Sequence, residues 1–165
     1  MTTFTNDKPT FRERVYALAG HTTWREPTGA GTSHLRAIPA DHMVAAALSF
    51  GRRTLPNGRP DPNDIGPDIA ADLATGRAGN YARVCEALGR ALSADRSVMV
   101  RRHRPYVAVV AMAGYNALMG RAMPPRPHDV NEDDWNDLVA AAAYVLETLA
   151  EDALALAARR ARKAA

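Results

Sequence analysis

Between residues 77 and 90 the chain places Arg77, Asn80, Arg83 and Arg90, three guanidinium groups and one amide. A guanidinium presents a planar fork of donors that matches phosphate oxygens or the O6/N7 edge of guanine, and an amide matches the N6/N7 edge of adenine. Further along, Arg101, Arg102 and Arg104 surround His103, with Arg96 and Arg121 in support. From 77 to 126 there are nine Arg against Glu86 and Asp95 alone. Such a surplus neutralises phosphates and predicts binding that weakens with salt. The competing role for Arg101, Arg102 and Arg104 is to complement the negative end of a helix, since charges on a helical stretch here would scatter around its axis.

Carboxylates supply the next chemistry. Asp68 with Asp72 and Glu147 with Glu151 are spaced i and i+4, so each pair leaves one side of a helix, and two facing pairs can share a Mg²⁺. This arrangement resembles the carboxylate set of helical nucleotide pyrophosphatases and implies a Mg²⁺-dependent nucleotide hydrolase; exposed helix faces also carry many such pairs. Asp133, Asp134 and Asp137 are similar to the D-D-x-x-D by which prenyl-transferring and terpene-cyclising enzymes hold magnesium. Those enzymes need a large helical cavity and a second metal-binding motif, which a chain of this length and sequence lacks. His128-Asp129 resembles the His-Asp pair of helical metal-dependent phosphohydrolases, with His103 or His42 upstream and Asp137 downstream, but Pro127 puts the pair ahead of a helix and not within one.

The glycines of Thr28 to His34 lack the Lys of a phosphate-binding loop. His21, His34 and His42 have no regular ligand spacing, Cys85 has no obvious basic partner, and Ser33 has no nucleophile-elbow context. No catalytic residue, metal ligand or cofactor is assigned, and the chain reads as non-enzymatic.

The elements that must carry these groups follow from hydrophobic period. Asn6 or Asp7 caps a first helix with Phe11, Val15 and Leu18 on one face, ended by Gly20. Residues 21–39 have no period and read as an irregular loop, long enough to suggest disorder or function. Asp41 opens a second helix carrying Val44, Ala47 and Leu48. Residues 52–67 form a second irregular loop, rich in Pro and Gly. Ile69 and Leu73 mark a short helix ended at Gly76. After it Asn80 caps another, with Tyr81, Val84, Cys85, Leu88 and Leu92 inward.

Residues 68–92 resemble a helix-turn-helix: Ile69, Ala70 and Leu73 match its I-A-x-x-L opening and Gly76 and Gly79 lie in its turn. The resemblance implies DNA binding, with Arg77, Asn80, Arg83 and Arg90 presented by the following helix. The turn is one or two residues longer than the motif has, and two consecutive amphipathic helices produce the same pattern by core packing alone.

Ser93 caps a segment through Val98 to Val100 whose alternation also permits a strand, and Pro105 starts or kinks an apolar helix that ends near Gly120. Residues 124–130 are a Pro-rich linker. Beyond it Asn131 caps the longest helix, whose first turns are acidic and whose last turns are basic. Its inner stripe is Trp135, Leu138, Val139, Ala142, Val145, Leu146, Leu149, Ala153 and Leu156. Ala140, Ala141 and Tyr144 form a second small apolar face, which belongs either to the chain's own core or to a homo-oligomer interface.

Residues 1–165 therefore read as a single all-α domain of five to seven helices with a long C-terminal helix, 47% apolar and 24% charged. That length buries enough surface to fold without disulfide or metal staples. One cysteine excludes an internal disulfide framework and agrees with a reducing cytoplasm. The N-terminal residues lack the apolar run of a secretory signal. The longest uncharged apolar stretch, 105–120, is shorter than the roughly twenty residues that cross a bilayer.

Residues 1–128 hold seventeen basic and ten acidic groups, a balance of +7, and 129–165 hold four and eight, a balance of −4, giving +3 in all. A GC-rich genome would give the same abundance of Arg and Ala. Three functions follow as expectations. The first is a small Arg-rich protein that binds nucleic acid or another anionic partner, as a regulator or assembly factor. The second is an oligomeric structural or inhibitor-like interaction module, and the third a Mg²⁺-dependent nucleotide hydrolase.

Overall fold

The structure, a computed structural model, describes residues 8–22 and 40–164. Within them the chain forms seven α-helices and no strand, confirming the all-α reading; Thr54 and Pro60 make one isolated antiparallel bridge. The helices are α1 (Phe11–His21), α2 (Ala40–Ser49), α3 (Gly66–Thr75), α4 (Tyr81–Ala94), α5 (Val98–Arg102), α6 (Val107–Met119) and α7 (Glu132–Ala164). No helix among the described residues is long and apolar enough to cross a membrane.

The longest helix, α7, is the spine. α6 and α3 lie along it, α1 and α2 meet both α3 and α7, and α4 packs on α6. α3 is the most enclosed: every residue from Gly66 to Ala70 is buried, as are Asp72 and Ala74. The core joins Ile69 of α3, Leu88 of α4, Tyr115 of α6 and Leu146 of α7, each 1% exposed or less. Burying a side chain of this size contributes about 1.5–3 kcal/mol. α6 approaches α7 through Gly114, where a Cβ would stand 2.5 Å from that of Ala142 and 3.0 Å from the Ala143 nitrogen.

Helix ends follow local chemistry. α1 is capped by Thr10 and not by Asn6 or Asp7, which lie outside the described residues: the Thr10 hydroxyl accepts from the Glu13 N–H and the Glu13 carboxylate accepts from the Thr10 N–H. That reciprocal box fixes the start, with Pro9 just ahead of it. α1 includes His21, so the connection expected over 21–39 begins after it, and its residues 23–39 lie outside the described ones. The 52–67 connection ends at Ile65, because Pro67, with its fixed φ, enters the first turn of α3. Gly76 closes α3 at φ 71°, a conformation that glycine adopts without a Cβ clash.

Residues 98–100 are helical, and the strand alternative is excluded. Ser97 and not Ser93 caps α5, since the Ser93 hydroxyl donates back to the Gly89 carbonyl within α4. Arg104–Tyr106 make one 3₁₀ turn before α6, so Pro105 stands ahead of that helix instead of kinking it. On α7, Asn131 caps as expected, its side-chain oxygen accepting from the Asp134 N–H at 2.7 Å.

The buried stripe of α7 departs from the expected one. Val145 is 38% exposed and Leu149 and Leu156 are half-buried, while Ala150, Leu154 and Ala157 are buried. The expected stripe stepped by seven from Ala142 to Leu149 to Leu156. A straight helix drifts about 20° per seven residues, which turns its later half onto the next positions.

Candidate functional site

A buried polar assembly joins α3, α4 and α6. Asp72, 2% exposed, accepts the Asn80 side-chain amide at 3.0 Å and backbone N–H at 3.2 Å, and the Tyr115 hydroxyl at 3.0 Å. Burial pushes the Asp72 carboxyl above its ordinary range, and the Asn80 and Tyr115 donors work against that rise. Tyr115 is raised in turn by burial and by the nearby Asp72 carboxylate. Its ring meets that of Tyr81 edge to face, centroids 4.8 Å apart, and the Arg121 guanidinium lies 5.3 Å over Tyr81. Cys85 stands beside Tyr81 and burial pushes its thiol upward, away from the thiolate form that reacts.

One turn earlier, Asp68 receives Arg52 at 3.1 Å and the Arg83 Nε at 3.5 Å. The oxygen nearer Arg83, Oδ2, is enclosed and, among the described residues, has that ion pair but no hydrogen-bond partner.

This assembly uses groups for which the spacing predicts outward roles. Asn80 stands at the N-cap position of α4, yet its side chain reaches back to Asp72 and caps nothing. Arg83 also reaches the Pro62 carbonyl at 3.4 Å, Arg77 pairs with Asp41 at 2.6 Å, and Arg90 pairs with Glu86 at 2.8 Å. Asp68 and Asp72 turn toward α4 and α6. Glu151 is instead held by Arg14 of α1 at 2.6 Å, so it is engaged by a different partner from Asp68 and Asp72. Among the described residues no three His, Cys, Asp or Glu groups gather closely enough to hold a metal ion. Tyr115 and Arg52 belong to the assembly without any signal of their own; a tyrosine inside an otherwise apolar helix was the trace available.

The basic segment sits beside the start of α7. His103 is buried and its Nε2 lies 2.8 Å from the Asp134 carboxylate, with Arg102 at 3.8 Å from the same oxygen. Tyr106 donates to Asp129 at 2.7 Å. Arg101 and Arg104 are exposed and make no ion pair among the described residues. The acidic start of α7 thus faces part of the basic cluster, and Asp134 and Asp129 are drawn away from the D-D-x-x-D and His-Asp patterns.

Ala140, Ala141 and Tyr144 lie outside the core: all three are exposed, Tyr144 at 70%. At the other end, α1, α2 and the last turns of α7 border a hollow of about 730 Å³ lined by Leu18, Ala46, Phe50, Ala161, Arg14 and Arg162 among others. Of its two arginines, Arg14 is already committed to Glu151. Comparison of the chain with protein-family models, curated proteins and solved structures gave no match.

Proposed function

We propose that the chain is a protein-binding module whose outward α7 face is the contact surface. The observation that carries this reading is Tyr144, a phenol ring 70% exposed on the side of the helix opposite buried Ala142 and Leu146. Ala140, Ala141 and Val145 are exposed beside it. An aromatic ring standing among small side chains supplies a large rigid contact area at low entropic cost, as interface anchors do. A photo-crosslinking residue at 144, compared with one at Ala82 on the exposed side of α4, tests the reading in native extract. A discrete protein adduct at 144 and none at 82 is expected; equal labelling at both sites rejects it.

A second reading, contact with nucleic acid or another polyanion, is favoured by Arg101 and Arg104, exposed and without an ion pair among the described residues. Labelled duplex and single strands titrated at several salt concentrations test it. Each phosphate contact removed by Arg101→Ala or Arg104→Ala should lower the salt slope by about one. Micromolar protein that binds neither strand form at low salt would exclude it.

A further inference from the structure

The outward row of α7 reads Asp137, Ala141, Tyr144, Thr148, Asp152, Ala155 and Arg159, and all seven side chains are exposed. The steps between them are 4, 3, 4, 4, 3 and 4 residues, a series that is the same in either direction from Thr148. Each half of the row spans eleven residues, or about 3.67 per turn, close to the 3.6 of a straight helix. The row therefore runs nearly along the helix axis for about 33 Å at 1.5 Å per residue.

From this symmetry we infer that the partner of the face is a second copy of the chain, with the two α7 helices antiparallel and their two-fold axis at Thr148. The inference rests on the reading of this face as an interface and adds the partner's identity. In that register Asp137 meets Arg159 of the second copy, Ala141 meets Ala155, Tyr144 meets Asp152, and Thr148 meets Thr148. Asp133 and Lys163 extend the match at the rim. The contacts are of complementary kinds: carboxylate with guanidinium, methyl with methyl, phenol donor with carboxylate acceptor, and hydroxyl with hydroxyl.

Asp133, Asp137, Asp152, Arg159 and Lys163 make no ion pair within the described chain, so none must be given up on pairing. A parallel pair would set Asp137 against Asp137 and Arg159 against Arg159, and like charges across an interface select against it. A two-fold axis makes each pairing away from Thr148 occur twice, which doubles the effect of those residues.

Sedimentation of the full chain, with circular dichroism as the folding control, tests the inference. The wild type should form a dimer with a dissociation constant on the order of 10–100 µM, as a small and largely polar contact gives. Asp137→Arg and Arg159→Asp should each weaken it by about tenfold or more, because two exposed pairs become repulsive. The double exchange should restore it, since both pairs reform with reversed sign. Asp137 and Arg159 stand about 33 Å apart on one rigid helix and cannot pair within a chain. A Thr148→Cys chain carrying Cys85→Ser should also form a disulfide-linked dimer under mild oxidation. A monomer at 100 µM, or a double exchange no better than the single ones, overturns self-pairing. An adduct to a different protein at position 144 would then leave the broader reading of the face standing without it.

Discussion

Asp72 shows how far a side chain's role depends on neighbours remote in sequence. Its Asn80 and Tyr115 partners lie 8 and 43 residues away, so the sequence offered the carboxylate to a metal and the Asn80 amide to a base edge. In the folded chain they satisfy each other. Burial raises the Asp72 pKa above its ordinary 3.8, so the folded state holds the proton more tightly than the unfolded state does. That preference stabilises the fold fully below 3.8 and is lost as pH rises through the folded value. Asp72→Asn, which cannot ionise, should therefore gain on the wild type as pH is raised from about 4 toward neutrality. Urea denaturation across that range measures the difference, and a pH-independent difference would show that the carboxyl ionises normally.

At the scale of elements, helix existence was legible because an amphipathic period and a cap speak through adjacent residues: Asn131, Gly76 and the Val84–Leu88–Leu92 stripe need no tertiary knowledge. Which of two competing caps is used, and how the α7 stripe drifts past Leu146, depend on packing partners and were not. Close helix contacts were equally silent, since Gly114 looks in sequence like any helical glycine. Its missing Cβ would meet Ala142 at 2.5 Å, whereas one at Gly89 of α4 would meet nothing within 4 Å. The same substitution should then act with opposite sign at the two positions. Gly114→Ala should cost about 1–3 kcal/mol by overpacking, and Gly89→Ala should gain about 0.5–1 kcal/mol from helix propensity. Equal effects in thermal unfolding would mean that α6 does not press on α7 at that point.

Across the whole molecule, α1 is tied to α7 by the Arg14–Glu151 pair, which bridges 137 residues of sequence. Both side chains are about 40% exposed, so water screens the pair and Arg14→Ala should cost no more than about 1 kcal/mol in chemical denaturation. A loss of several kcal/mol would assign Arg14 a packing role in the adjoining hollow. The charge division is also a property of this scale. Read linearly, it separates a basic body from an acidic C-terminal part; folded, Asp134 lies against His103 and Arg102, and Asp41 against Arg77. The pairs that cross between the two parts, Arg102–Asp134 and Arg14–Glu151, cancel part of the polarity, and no linear count of charges could reveal that.

The spine on which α1, α2, α3 and α6 all rest is made of residues 132–164, the portion of the described chain that a ribosome makes after every other helix. At roughly 5–20 residues per second, the earlier helices, which also pack on one another, spend a few seconds with the sides they turn to α7 uncovered while it is still being made. The contacts that α1, α2, α3 and α6 make with α7 therefore form only once residues 132–164 have been made.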